Sequence, residues 1–247
     1  MGLALAAAAF AVAVMVAAEI VIALRREYLP STPVMEIGGT FGRAGDPEVG
    51  LVVLGDSTAS GVGAGSPANA YPTLLARRLA DTGRRVTLHA FGESGARVTD
   101  VLNDQVDRAV ALSPDLVFVG IGANDATHVT PLDDVRRDMG LVLDRLLSSG
   151  AGVVVAGAPD MRAEAFLEPL RSLAGWRGQA VTAAIQDAAR ARGVTVVPLA
   201  EETWRYFEQD PDEHNSADDF HPGPRGYERW ADAISPRLEA AADALSR

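Results

Sequence analysis

From residue 49 onward the chain alternates short apolar runs with longer segments of helical period. The runs are residues 51–54, 86–91, 116–121, 153–156 and 194–197. Continuous apolar runs bounded by turn residues predict strands covered on both faces, as in a parallel sheet. Helices are predicted over 68–81, 98–111, 132–147, 177–192 and 224–245. In the third of these Val135, Met139, Leu143 and Leu147 recur every four residues, with Val142 and Leu146 beside them. That is one broad apolar stripe, made to face a core. Gly83, Gly150 and Gly193 fall just past helix ends, where left-handed caps are expected. Strands alternating with helices imply right-handed crossovers. The expected fold is α/β, a three-layer flavodoxin-like sandwich around a five-stranded parallel sheet.

The chain before residue 49 has a different pattern. Residues 3–24 are almost unbroken apolar sequence, rich in alanine, with Glu19 as the only charge. About 20 such residues cross a bilayer as a helix. Glu19 lies toward one end, and Arg25, Arg26 and Tyr28 follow where an interface would be. Val16-Ala17-Ala18 has the composition of a signal cleavage site, but no basic region precedes the apolar run. Residues 1–27 are therefore read as a hydrophobic anchor, with a cleaved signal as the rival. The protein is expected to be membrane-anchored by this helix, and secreted if the segment is removed. The two arginines favour a cytoplasmic domain without settling the side. Residues 28–48, rich in Pro, Gly and Thr, read as a linker, and residues 49–247 as the folded domain.

Composition narrows the classes of function. Of 247 residues 48% are hydrophobic, enough for a large core. The formal net charge of -11 argues against a nucleic-acid partner, which would need clustered Lys and Arg. With no cysteine, the chain has no disulfide, no thiolate metal site and no cysteine nucleophile.

Candidate chemistry gathers after the early strands. The first is followed by Gly55-Asp56-Ser57, the second by Gly92-Glu93-Ser94-Gly95, and the third by Gly122-Ala123-Asn124-Asp125. In open parallel sheets ligands bind beyond the carboxyl ends of the strands. Far downstream, Asp218-Asp219-Phe220-His221-Pro222 precedes the last helix and can fold back over that edge. These are parts for acyl transfer. The hydroxyl of Ser57 is a poor nucleophile until a base takes its proton. His221 can be that base, and Asp218 or Asp219 can orient its imidazole. The N–H groups of Ser57 and of Gly95 or Gly92, with the amide of Asn124, can stabilise an oxyanion.

These blocks resemble those of the SGNH/GDSL hydrolases. Gly55-Asp56-Ser57 with Gly61 looks like the first block, Gly95 like the glycine of the second, and Gly122-Ala123-Asn124-Asp125 like the third. Asp218-Asp219-Phe220-His221 is similar to the final Asp-x-x-His block. The resemblance implies a flavodoxin-like sheet and hydrolysis of a small or lipid-like acyl ester without metal or other cofactor. It implies Ser57 as nucleophile, His221 as base and Asp218 as its partner, with Ser57, Gly95 and Asn124 forming the oxyanion hole. One departure stands in the second block, where Ala90-Phe91-Gly92 replaces an asparagine often found ahead of the glycine. The same triad would serve an acyltransferase or deacetylase acting on cell-envelope sugars. A tethered binding module without catalysis is the third reading.

The remaining candidates have plainer expectations. Asp56 reads as a brace of its loop, His89 as a strand residue and His128 as a structural or surface group. His214 reads as part of a solvated acidic loop, not a metal ligand. Gly61 and Gly63 would let their loop pass close to a ligand, but no Gly-Lys-Ser/Thr follows to make a phosphate loop. Met161, Phe166, Leu167, Leu170 and Leu173 would either line an acyl site or pack a short helix.

Overall fold

Every apolar run from residue 51 onward becomes a strand. A computed structural model describes residues 2–32 and 34–245; Met1 of the apolar segment, Pro33 of the expected linker and residues 246–247 lie outside it. The strands are β1 (Gly38–Phe41), β2 (Glu48–Gly55), β3 (Arg85–Gly92), β4 (Leu116–Gly120), β5 (Gly152–Ala156) and β6 (Thr195–Val197). They form one sheet in the order β1-β3-β2-β4-β5-β6. All neighbours from β3 to β6 are parallel, and those five strands have the flavodoxin-like order.

Helices cover both faces. They are α1 (Gly2–Arg25), α2 (Tyr71–Asp81), α3 (Val98–Asp100), α4 (Val106–Ala111), α5 (Ala123–Thr127), α6 (Leu132–Ser148), α7 (Leu170–Arg190), α8 (Leu199–Gln209), α9 (Pro211–His214) and α10 (Pro224–Leu245). A π-helical turn, Val101–Gln105, joins α3 to α4. Side chains alternate across a strand, so β2 feeds two cores. Val52 and Leu54 pack with α4, α6 and α7; Leu51 and Val53 pack with α2 and α10. Gly83, Gly150 and Gly193 take positive φ of 86, 88 and 66°, as the helix caps require.

Among the described residues the five parallel strands expected are joined by a sixth, antiparallel one. β1 lies in the stretch expected to be a linker and pairs antiparallel with β3, from Gly38 opposite His89 to Phe41 opposite Val86. Gly-Gly-Thr-Phe has no alternation to betray it; the open edge of β3 supplies the order. Several helices also differ from expectation: the one expected over 98–111 is α3, the π-helical turn and α4, and the short α5 and α9 were not predicted. α7 begins at Leu170 instead of Arg177, and α8 was not predicted. In α7, Gly175 and Gly178 weaken the helical signal, yet both are contact points: a Cβ there would come within 2.5 Å of Arg162 and Met161 respectively.

Within α1, residues Ala4–Ala23 are long and apolar enough to cross a membrane, by length and composition.

Candidate active site

The parallel register brings the three loops together. Gly55 stands opposite Gly92 on one side and Gly120 on the other, so β2, β3 and β4 end at one level. Gly92 is the point of closest approach: a Cβ there would lie 2.2 Å from the Ser60 nitrogen. Only a residue without a side chain lets β3 run beside the loop carrying Ser57.

That loop is held at both ends. The buried amide of Gln105, on the π-helical turn, grips Gly55 twice. It accepts from the Gly55 N–H at 2.9 Å and donates to the Gly55 carbonyl at 2.8 Å. Just beyond, Oδ1 of Asp56 accepts the N–H of Thr58 at 3.0 Å and its hydroxyl at 2.8 Å. Asp56 is thus the expected brace. Burial pushes its carboxyl up, while the Thr58 bonds and the nearby His221 oppose that shift.

The far segment folds back over the same edge. His221 Nε2 lies 3.0 Å from Ser57 Oγ, and His221 Nδ1 lies 2.7 Å from Asp218 Oδ2. Asp218 is built into its loop. Its Oδ1 accepts the N–H groups of Phe220 at 3.0 Å and His221 at 2.9 Å, and the Ser216 hydroxyl at 2.8 Å. Its Oδ2 also accepts the Leu29 N–H at 3.1 Å. Burial alone would push this carboxyl up. The bonds from His221 and Leu29 outweigh burial and hold it well below the usual carboxylate range. The competitor, Asp219, points elsewhere and pairs with Arg26.

Gly63 makes this closure possible. A Cβ on it would lie 2.2 Å from the Pro222 carbonyl oxygen, and its φ is 88°. The expectation that Gly61 and Gly63 approach a ligand is corrected here, because their close neighbours are protein. Gly61 sits against Ile37 and Ala70, and Gly63 against Pro222.

Of the candidate oxyanion donors Ser57, Gly95 and Asn124, Ser57 and Asn124 line one cavity. Among the described residues the N–H groups of Ser57 and Gly95 donate to no other group. Gly95 has a φ of 84°, a backbone conformation that favours glycine. Asn124, in the first turn of α5, gives one amide hydrogen to the Ala96 carbonyl at 3.0 Å. An amide carries two, so one remains for a ligand. Its neighbour Asp125 accepts the Val98 N–H at 3.0 Å. The pair therefore ties the third loop to the second.

Ser57, Asn124 and His221 line a cavity of about 510 Å³. Its further wall includes Met161, Glu168, Arg171, Trp204 and Phe207. Of the five apolar residues considered for an acyl site only Met161 lies in that wall. Phe166 packs edge-on against Phe220 at 5.7 Å, while Leu167 and Leu173 are exposed.

The other histidines separate cleanly. His89 is in β3, as expected, and His128 is exposed and bonds the Asn124 carbonyl at 2.9 Å through Nδ1. His214 is not solvated; it is buried between Tyr206 and Phe207, with ring centroids 5.8 Å from each. Reading along the chain also missed Gln105 and Leu29. A lone glutamine in a helical stretch and a main-chain donor in a linker have no sequence signal.

Residues 53–229 match the model of the GDSL-like Lipase/Acylhydrolase family. The chain belongs to that family. As a GDSL-like protein it is a carboxylic ester hydrolase. It is 34% identical over 217 residues to the GDSL-like esterase Rv1075c of Mycobacterium tuberculosis, a match covering 82% of this chain and 69% of the relative. Its fold is similar to the crystal structure of a lipase/acylhydrolase from Enterococcus faecalis, with a TM-score of 0.65 and 22% identity over 78% of this chain and 96% of the other. It is likewise similar to TesA, with a TM-score of 0.63 and 22% identity over 78% of this chain and 99% of the other.

Proposed function

We propose that this GDSL-like hydrolase is a serine esterase working through an acyl-enzyme, with Ser57, His221 and Asp218 as its triad. The observation that carries the reading is the unbroken relay Ser57 Oγ–His221 Nε2 at 3.0 Å and His221 Nδ1–Asp218 Oδ2 at 2.7 Å. Neutral His221 takes the Ser57 proton through Nε2 as the hydroxyl attacks the ester carbonyl. Nδ1–H stays bonded to Asp218, whose carboxylate stabilises the imidazolium that forms. The carbonyl oxygen becomes an oxyanion, met by the N–H groups of Ser57 and Gly95 and the second amide hydrogen of Asn124. Each such donor is worth roughly 10²–10³ in rate. The imidazolium then protonates the departing alkoxide. In the second half water attacks the acyl-Ser57 carbonyl and gives its proton to Nε2; the imidazolium then passes a proton to Ser57 Oγ as the C–O bond breaks and the carboxylic acid leaves.

The substrate is a small-molecule acyl ester, small or lipid-like. The mixed wall of the cavity, with Met161 and Phe207 beside Glu168 and Arg171, supports a substrate having both an apolar and a polar part. α1 is retained as a membrane anchor in this reading.

Ser57→Ala should abolish hydrolysis of a p-nitrophenyl ester, and of fluorophosphonate labelling, with unchanged thermal unfolding. Undiminished turnover in that variant would rule the mechanism out.

A further inference from the structure

The C-terminal half of α1 does not stand free of the domain. Val16, Glu19 and Ala23 are covered, while the positions between them whose exposure is described lie open. Their spacing puts them on one stripe of the helix. Glu19, costly in a bilayer, instead faces protein: its carboxylate accepts the Leu170 N–H, at the start of α7, at 2.8 Å. A carboxylate at a helix N-terminus is stabilised by the unpaired N–H groups there.

The next residues reach the catalytic loop. Arg26 pairs with Asp219, the Tyr28 ring meets Phe220 edge-on at 5.4 Å, and the Leu29 N–H bonds the Asp218 carboxylate at 3.1 Å. Leu29 lies four residues beyond Arg25, a stretch that extends at most about 14 Å. The Asp218 carboxylate is therefore that reach plus one hydrogen bond of 3.1 Å from the end of α1.

Beside the docked turn stand three large apolar side chains with little cover. Leu167, Leu173 and Trp176 are 56, 45 and 67% exposed. They flank Glu168, Arg171 and Ser172, which wall the Ser57 cavity. A net charge of -11 gives this protein no electrostatic pull toward anionic lipid, so attachment must come from apolar contact.

We propose that the start of α7, with Leu167, Leu173 and Trp176, lies in the headgroup–acyl boundary of the bilayer that α1 spans, and that the Ser57 cavity takes acyl esters partitioned into that bilayer. This rests on the esterase reading and on retention of α1. The tether and the apolar patch fix the cavity at the boundary. A membrane-borne ester then meets Ser57 without a passage through water.

The test uses the full chain in phosphatidylcholine vesicles. With brominated acyl chains, tryptophan fluorescence is quenched, and Trp176→Phe removes most of the quenching, because Trp230 is buried and Trp204 half-buried. A variant carrying Leu167→Ser, Leu173→Ser and Trp176→Ser loses roughly tenfold in turnover of vesicle-borne p-nitrophenyl palmitate, the effect of part of one such burial. Its turnover of p-nitrophenyl acetate in water is unchanged. Quenching that survives Trp176→Phe, or equal effects on the two esters, overturns the proposal. If the unsubstituted chain turns over neither ester, the esterase reading fails instead, and the quenching arm still decides the surface.

Discussion

Replacing Gln105 by leucine tests whether the nucleophile loop is positioned from behind. The substitution keeps the side-chain volume roughly constant and deletes both bonds to Gly55, of 2.9 and 2.8 Å, in a fully buried position. The two losses are unequal. The Gly55 carbonyl keeps the Glu93 N–H at 3.2 Å, whereas the Gly55 N–H is left without a side-chain partner. An orphaned buried donor costs about 2 kcal/mol, and a lost but replaced bond about 1 kcal/mol. A total of about 3 kcal/mol corresponds to a fall in Tm of roughly 6–12 °C for a domain of this size. Ser57 is two residues on, so a shift of Gly55 moves the hydroxyl away from His221, and kcat should fall by at least roughly tenfold. Calorimetry and p-nitrophenyl acetate hydrolysis read the two effects. Gln105→Glu separates hydrogen bonding from packing. An introduced carboxylate can accept from the Gly55 N–H but repels its carbonyl, so its folded-state pKa is raised. The variant is then most stable below the ordinary glutamate range and loses stability as pH rises through the raised value. A Tm within about 1 °C of the parent for Gln105→Leu would refute the reasoning.

Asp218→Asn removes the charge that stabilises the imidazolium. It should lower kcat by roughly 10³–10⁴ and move the acid limb of kcat/KM to lower pH. In the parent the Asp218 carboxyl is held below the usual carboxylate range, so its ionised form stabilises the fold above about pH 4. That contribution fades as pH falls through the depressed value, and acid titration of stability should show a decline the asparagine variant lacks. Asn124→Ala should cost roughly 10²–10³ in kcat with little change in KM, measured by steady-state kinetics. Gly63→Ala places a Cβ 2.2 Å from the Pro222 oxygen at a φ of 88°; at least about 2 kcal/mol of stability and most activity should go. Gly65→Ala, at a φ of 70° with open space around it, is the control and should lose only about 1 kcal/mol.

Much of this molecule was legible as sequence because its strands are buried on both faces. Such strands must be continuously apolar, and each run from residue 51 to 197 became a strand in the expected order. Ser57, Asn124 and His221 stood out because they follow strand ends or precede a helix, where parallel sheets hold ligands. Spacing alone could not choose Asp218 over Asp219; in the structure the φ of 55° at Asp219 marks the turn that sends its side chain toward Arg26. β1 stayed hidden because its order comes from the edge of β3, not from its own residues. The Gln105 clamp stayed hidden because it depends on one π-helical turn, and the Leu29 contact because a backbone N–H carries no side-chain signature. These three are interactions made at long range, with nothing local to announce them.

β1 also matters for how many copies can live side by side. It is four residues long and bends at Gly39, whose φ is 126°; at the opposite margin β6 has only three residues. Short, bent margins expose few free backbone donors and acceptors, and so make poor templates for strand addition. That keeps the sheets of neighbouring copies from zipping into a continuous ribbon.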